Sequence, residues 1–189
     1  MKKENDEYLC KTYPKLFADR HGAVTATAMC WGFEHGDGWY NIIEALCSNI
    51  QHHIDWKLQC HKRDIEYNSM IAAAQAGNIA QLEDYYKGYL NAEEMMTRAL
   101  EKGFRDVTPE VEQVVVEQVK EKFGTLRFYY RGGDDYVRGL VSMAEAMSGR
   151  TCESCGNPAK TGGEGWIRTI CPTCEEAREK AYLKQSYEG

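Results

Sequence analysis

The stretch that decides the fold reads Cys152-Glu153-Ser154-Cys155 and, after fifteen further residues, Cys171-Pro172-Thr173-Cys174. Two Cys-x-x-Cys pairs at this separation match the spacing of a tetrahedral zinc site. The alternative is a pair of disulfides, but nothing in the sequence marks the chain as secreted, and cytoplasmic thiols stay reduced. We therefore predict that these four cysteines bind one Zn²⁺. Because four thiolates leave no coordination position for water, the predicted zinc is structural.

The residues around the cysteines predict the type of zinc module. Gly156 follows the first pair, where a turn residue with positive φ is often needed. Residues 166–170 are typical of a short strand. Residues 175–184 are rich in helix formers, with acids first and bases later, as the helix dipole prefers. This order predicts a treble-clef finger over residues 151–189, and a zinc ribbon, with a strand in place of the helix, is the alternative.

Composition indicates one ordinary domain plus a small module. Of the 189 residues, 43% are hydrophobic and 28% charged, which is typical of a globular protein. No apolar run approaches the roughly 20 residues that span a bilayer, and the first seven residues lack the apolar core of a signal peptide. We therefore expect a cytoplasmic protein without a membrane partner. The net charge of −6 disfavours non-specific binding to nucleic acid.

Helical patterns dominate the first hundred residues. Pro14 is predicted to open a helical turn, residues 23–35 are interpreted as extended, and Asp37 is a predicted N-cap. The helix after Asp37 has an apolar stripe that predicts core packing: Trp39, Ile42, Ile43, Leu46, Cys47, Ile50 and Ile54. Residues 57–102 predict a helical hairpin with a break at Ala76-Gly77-Asn78, where Asn78 caps the second helix and Gly103 ends it.

Strand patterns follow Pro109. Two β-rich runs around a glycine-containing turn at 122–125 predict a hairpin, with Leu126, Phe128 and Tyr130 on one face. Asp134 is predicted to cap a helix that ends at Gly149 and that turns six side chains inward: Tyr136, Val137, Leu140, Met143, Ala144 and Met147. The fold class is therefore α+β, with helices packed on a small antiparallel sheet over residues 1–150 and the four-cysteine module over 151–189.

Three stretches together resemble a group of uncharacterised proteins of tailed phages and prophages: Cys30–Phe33 with Gly36–Trp39, Val119–Tyr130, and the paired cysteines with Gly165–Thr169. The resemblance covers residues 23–56 and 112–175. Residues 57–102 lie outside it, and we interpret them as a candidate insertion. The resemblance implies an accessory protein in a bacterial host cytoplasm that binds host factors or neutralises host defences, and it transfers no catalytic or binding residue.

Bases and aromatic residues alternate between Lys120 and Arg131. In this segment a base could stack on an aromatic ring while cationic side chains bind phosphate. The candidate ligand-binding residues are Lys122, Arg127, Tyr129 and Arg131. The alternative is a hairpin with one core face and one solvated face, and the sequence favours this alternative.

The leading functional prediction is a non-enzymatic, phage-type binding protein that sequesters a nucleotide-type signal or a host defence protein. One alternative is a zinc protein associated with nucleic acid or transcription, and another is an interaction protein without a small ligand. A homo-oligomer is compatible with the sequence. The spacing gives no support to an enzyme built from His35, Asp37 and Asp134. His52, His53, Cys60 and His61 are interpreted as surface or satisfied side chains rather than a second site.

Overall fold

The computed structural model describes residues 1–187, with side chains through residue 184, and shows the expected α+β fold. The helices are α1 (Lys3–Thr12), α2 (Tyr40–Gln75), α3 (Ala80–Tyr86), α4 (Ala92–Lys102), α5 (Asp135–Ser148) and α6 (Pro172–Tyr187). The strands are β1 (Phe33–Glu34), β2 (Val115–Lys122), β3 (Thr125–Arg131), β4 (Lys160–Gly162) and β5 (Arg168–Ile170).

The chain divides into two compact units. The first contains residues 1–53 and 112–189, and the second contains residues 54–111. The four-cysteine segment, predicted as a module separate from residues 1–150, groups with the first unit. The segment predicted as a helical hairpin, 57–102, lies within the second unit, which interrupts the first in sequence.

The first unit is built around a three-stranded sheet with the order β1-β2-β3. β2 and β3 form the predicted antiparallel hairpin, and the two-residue strand β1 adds to β2 in parallel. The turn consists of Phe123 and Gly124, both with positive φ, which is the two-residue turn that matches the twist of the strands. The predicted alternation is confirmed, since Leu126 and Phe128 are buried while Tyr129 on the opposite face is exposed.

Helix α5 closes the free edge of β3. The backbone N–H of Leu126 donates to Ser148 Oγ at 2.8 Å, and the backbone N–H of Phe128 donates to Glu145 Oε1 at 3.0 Å. The helix begins as predicted, with the Asp134 carboxylate accepting from the N–H groups of Tyr136 and Val137. Its inward face differs from the prediction, because Tyr136, Met143 and Met147 are exposed, whereas Val137, Val141 and Ala144 are buried.

Helix boundaries before residue 103 differ from the sequence predictions. The helix predicted after Asp37 does not stop near residue 56, and α2 runs for 36 residues because its charged and alanine-rich second half consists of good helix formers. The second arm of the predicted hairpin is two helices rather than one. The interruption falls near Gly88, whose φ of +91° lies in the left-handed region, whereas Gly103 does end α4 as predicted.

Two of the three N-terminal predictions also need correction. α1 ends at Thr12, and Pro14 then opens a separate helical turn as predicted, in which the N–H of Phe17 donates to the carbonyl oxygen of Tyr13. The segment predicted as extended contains a 3-10 turn at Ala28–Trp31, capped by the Thr27 hydroxyl, before the chain enters β1. Asp37 lies within a short 3-10 turn, where Gly36 occupies the N-cap position.

The second unit has a core of its own. Its buried members are Tyr67, Ile71, Ala74, Leu82, Tyr86 and Ala99. Side chains of α2 hold the extended segment that follows α4: the side-chain amide of Asn68 exchanges hydrogen bonds with the backbone of Arg105, and Asp64 accepts from the N–H and hydroxyl of Thr108. The Arg105 guanidinium lies 3.4 Å from the centre of the Tyr67 ring. These contacts all lie within the second unit and involve none of the four cysteines.

Candidate functional site

The four predicted metal ligands converge on one point. The sulfur atoms of Cys152, Cys155, Cys171 and Cys174 all lie within 4.8 Å of one another. The Sγ atoms of Cys155 and Cys171 are 3.6 Å apart. A tetrahedron with metal–sulfur bonds of about 2.3 Å has sulfur–sulfur edges of about 3.8 Å. The cluster can therefore hold a metal ion with four thiolate ligands.

The local sequence explains this convergence. After the first pair, Gly156 takes a φ of +79° and donates its N–H to the carbonyl oxygen of Cys152, which folds the knuckle back. β4 and β5 then form a small antiparallel hairpin, and Cys174 lies in the first turn of α6. Knuckle, hairpin and helix follow in the predicted treble-clef order, and the helix excludes the zinc-ribbon alternative.

Electrostatics within the cluster favour a bound cation. Burial disfavours the Cys152 thiolate, but hydrogen bonds from the backbone N–H groups of Cys171, Cys155 and Ser154 lower its pKa to about 7. Hydrogen bonding with Cys155 and Cys171 raises the pKa of Cys174 to about 12. The Cys152 thiol thus loses its proton readily, whereas the Cys174 thiol keeps its proton, as expected for like charges placed together without a counter-ion. A divalent cation would allow all four to ionise.

The first knuckle packs directly on the start of α2. The backbone N–H groups of Gly36 and Gly38 donate to Glu153, at 2.9 Å to its side chain and 2.7 Å to its carbonyl oxygen. The fully buried Trp39 donates its indole N–H to the carbonyl oxygen of Thr151 at 2.8 Å. A Cβ atom on Gly38 would lie 2.0 Å from the carbonyl oxygen of Cys152. The motif Gly36–Trp39 is therefore the surface that receives the cysteine knuckle.

This packing gives Asp37 a role different from the predicted helix cap. Its Oδ1 atom accepts hydrogen bonds from the backbone N–H of Lys2, at 2.6 Å, and from the side-chain amide of Asn5. The carboxylate therefore holds the segment around α1. The sequence does not distinguish the two roles, because an aspartate shortly before an apolar helical stripe is also typical of an N-cap.

The outer face of the β2–β3 hairpin gathers three cations and one aromatic ring. Cross-strand register places Lys120 opposite Arg127 and Lys122 opposite Thr125. Lys120 Nζ lies 5.5 Å from the centre of the Tyr129 ring, and Tyr129 is 41% exposed. Among the side chains described, residues 1–184, no carboxylate forms an ion pair with Lys120, Lys122 or Arg127, although Glu34 of β1 is the neighbour of Lys120 in the sheet. Like charges directly opposite each other destabilise a sheet, and Lys120 and Arg127 form such a pair.

Strand alternation puts all four candidate ligand residues on this face, but one of them, Arg131, is already engaged. The Arg131 guanidinium forms ion pairs with Asp19 at 2.7 Å and with Glu117 at 3.6 Å, so its charge is compensated within the protein. Arg127 donates to two neutral oxygens of its own strand, at Thr125 and Leu126. Lys120, which the sequence prediction did not select as a ligand residue, completes the cationic set.

The histidines and acids considered for catalysis bind separate partners. His35 is buried with Nδ1 2.8 Å from the carbonyl oxygen of Gly36, and His53 Nε2 lies 2.9 Å from Asp134 Oδ2. His61 Nδ1 lies 2.8 Å from the carbonyl oxygen of Thr108. Within residues 1–187, the four cysteines are the one group of three or more metal-ligating side chains that the structure brings together.

A cleft at the tip of the hairpin contains residues that the sequence prediction missed. It has a volume of about 420 Å³ and is lined by Glu121, Lys122, Phe123, Gly165, Trp166 and Ile167. Phe123 and Trp166 are each 67% exposed. The two segments meet because the buried hydroxyl of Thr169 donates to the carbonyl oxygen of Gly124. The available signal was the pair of glycine-flanked aromatics, but their proximity depends on long-range packing.

No family model, curated protein or solved structure matches the chain. The similarity to phage accessory proteins therefore stays a prediction. Within residues 1–187, no helix combines the length and apolar character needed to cross a membrane.

Proposed function

We propose that this protein is a non-enzymatic binding protein in which a structural zinc ion supports a sheet surface for a phosphate-bearing, nucleotide-type ligand. The zinc assignment is supported by the all-sulfur ligand set and by the treble-clef order of the surrounding elements. With four thiolates bound, the ion has no open position for a reacting molecule. Its contribution is to folding, on the order of 10–16 kcal/mol in small zinc-finger peptides.

The observation that carries the ligand assignment is the cluster of Lys120, Lys122 and Arg127 beside Tyr129, in which three cations face one acid, Glu34. Phosphate oxygens would accept charge-assisted hydrogen bonds from the two lysine ammonium groups and from the planar guanidinium. They would also relieve the repulsion between the opposed Lys120 and Arg127. A base lying on the exposed Tyr129 ring would add stacking energy of about 1–3 kcal/mol.

The charge of the whole protein limits the class of ligand. A chain with a net charge of −6 repels polyanions at long range, whereas three local cations suit a ligand of a few phosphates. The resemblance of the three sequence motifs to phage accessory proteins supports a bacterial host cytoplasm as the setting. The proposed role there is counter-defence by sequestration of a nucleotide signal, and a host defence protein is the alternative target.

Calorimetry on the zinc-loaded protein tests this proposal with a panel of cyclic and linear nucleotides. We expect at least one to bind, and the double variant Lys120→Gln/Arg127→Gln to weaken its affinity by at least about tenfold, since two charge-assisted hydrogen bonds are lost. Tyr129→Ala should weaken it separately. The matched control is Lys57→Gln, because Lys57 lies 5.9 Å from the exposed Trp56 ring in the second unit and should leave affinity unchanged.

Two results would count against the proposal. Absence of heat with every nucleotide, together with no nucleotide retained in the purified protein, would remove the ligand assignment. Equal weakening by the control variant would show that the effect is one of general charge. A pull-down from infected host lysate, followed by mass spectrometry of proteins and small molecules, addresses the alternative of a host protein target.

A further inference from the structure

We infer that the ligand contains at least two linked nucleotides, because the tip cleft between Phe123 and Trp166 provides a second base-stacking position beside the sheet face. This inference rests on the proposed function and extends it from a nucleotide-type ligand to an oligonucleotide. The shared chemistry is two or more bases joined by phosphodiester groups, whether in a free short oligonucleotide or in an exposed single strand of a longer one.

The first argument is the arrangement of aromatic rings and cations at the tip. Lys122 Nζ lies 5.5 Å from the centre of the Phe123 ring, and the Arg168 guanidinium lies 5.6 Å from the centre of the Trp166 ring. Each exposed ring therefore has a cation nearby, although only Lys122 lines the cleft itself, whereas Arg168 lies outside its lining. Lys122 also belongs to the outer sheet face, so it links the cleft with the cationic cluster around Tyr129.

The second argument is the position of Phe123 in the turn. Its φ of +53° lies in the left-handed region, which a bulky aromatic side chain adopts rarely and which asparagine or glycine adopts readily. The ring gains no compensating burial, since it is 67% exposed. Because the backbone conformation is unfavourable and the ring is not buried, the role of Phe123 is to contact a ligand rather than to stabilise the turn.

The third argument is that the cleft is already formed and that its one acid is occupied. The Glu121 carboxylate accepts a hydrogen bond from the backbone N–H of Gly124, so it is directed into the turn. A Cβ atom on Gly124 would lie 2.9 Å from the Thr161 side chain, which shows how closely the turn and the β4–β5 hairpin pack. The cleft is thus present in the fold itself, with a volume of about 420 Å³.

The distance between the stacking positions sets the minimum ligand. From Tyr129 to Thr125, β3 extends about 13 Å, and the turn residue Phe123 lies beyond Thr125. A mononucleotide has one base and can stack at one of these positions only. A ligand that occupies both must carry at least two bases, with its phosphates near Lys120, Arg127 and Lys122.

The test measures the affinity of the zinc-loaded protein for thymidine 5′-monophosphate, for oligothymidylates of two, four and eight nucleotides, and for a cyclic dinucleotide. We expect affinity to rise at least about tenfold from the monophosphate to the tetranucleotide. Phe123→Asn and Trp166→Ala should each lower tetranucleotide affinity about tenfold while leaving monophosphate affinity unchanged. Asparagine suits the left-handed turn, so Phe123→Asn retains the hairpin, and Trp56→Ala is the matched control for loss of an exposed tryptophan.

The outcomes separate this inference from the proposed function. Equal affinity for one and four nucleotides, with dependence on Lys120 and Arg127 intact, overturns the second position but leaves the sheet-face proposal standing. Absence of binding to every probe overturns both. A preference for the cyclic dinucleotide identifies a free signal molecule as the source, whereas affinity that still rises from four to eight nucleotides identifies a longer single strand.

Discussion

Gly38 shows how strongly a single residue constrains the first unit. Its backbone lies so close to the cysteine knuckle that no side chain fits between them, and its N–H donates to the carbonyl oxygen of Glu153. The sequence Gly36-Asp37-Gly38-Trp39 is typical of the start of a helix, and it predicts that the two glycines are turn residues. Their real function is close approach to residues more than a hundred positions later, which no local pattern reveals.

We predict that Gly38→Ala destabilises the protein by about 3 kcal/mol or more, because the added methyl group overlaps backbone atoms that cannot move without displacing Cys152. Chemical denaturation of the zinc-loaded protein measures the change. Gly139→Ala is the control, since nothing lies within 4 Å of a Cβ at that helical position. The control should stabilise α5 by roughly 0.5–1 kcal/mol, and equal behaviour of the two variants would contradict the packing argument.

His35 makes stability depend on pH. Burial lowers its pKa to about 4, and the hydrogen bond with the carbonyl oxygen of Gly36 only partly opposes this effect. The unfolded chain, with a histidine pKa near 6.5, therefore binds the proton first as the pH falls. The stabilisation is complete above about pH 6.5 and is lost progressively toward about pH 4.

From this sign we expect the free energy of unfolding to fall by about 1 kcal/mol more in the natural protein than in His35→Asn between about pH 7.5 and about pH 5.5. Denaturation at several pH values, with metal content measured at each, gives the two slopes. The comparison isolates His35 because cysteine protonation affects both proteins alike. Parallel slopes would show that the imidazole titrates normally.

At the scale of elements, α5 illustrates both the strength and the limit of sequence patterns. Its start is predictable because Asp134 before a periodic apolar segment is a local signal, and the structure shows the cap. Its buried face is not, since Met143 and Met147 match the apolar period yet remain exposed. Helix α2 shows the same limit, because composition predicts that its residues are helical but not the residue at which the helix ends.

We expect Asp134→Ala to destabilise the protein by about 1–2 kcal/mol, since it removes the cap of α5 and the hydrogen-bond partner of His53. The neighbouring Asp135→Ala is the matched control. Asp135 is exposed and forms a surface ion pair with Arg138, so its loss should change stability by about a few tenths of a kcal/mol. Thermal denaturation followed by circular dichroism distinguishes the two, and equal effects would argue against the cap.

At the scale of the molecule, the four-cysteine site was predictable because ligand type and spacing are local properties of the sequence. The packing of this site against the sheet and against the start of α2 was not predictable. It depends on long-range contacts between residues 36–39, 124 and 151–169. These contacts involve the same three stretches on which the predicted resemblance to phage proteins rests. The structure thus places the three motifs in mutual contact around the cysteine cluster.

We predict that metal removal unfolds the first unit and spares the second. Chelation should abolish amide protection in β2, β3 and residues 40–50, while the core around Ile71 and Leu82 keeps its protection, and added zinc should restore the rest. Hydrogen exchange with mass spectrometry reads each segment. Cys174→Ser should reproduce the effect of chelation, whereas the control Cys30→Ser, outside the cluster, should keep the metal. Full protection of β2 and β3 in the chelated protein would contradict the prediction.

The docking of the cysteine knuckle on Gly36–Trp39 also bears on biosynthesis. The receiving surface is made early and its counterpart, ending at Cys174, is made late, so the first unit cannot close until the chain has been translated through that cysteine. The second unit is continuous in sequence and can be complete by then. At roughly 5–20 residues per second, translation from Trp39 to Cys174 takes about 7–27 s, and during that interval Trp39 lacks the segment that covers it and the cluster lacks its last cysteine.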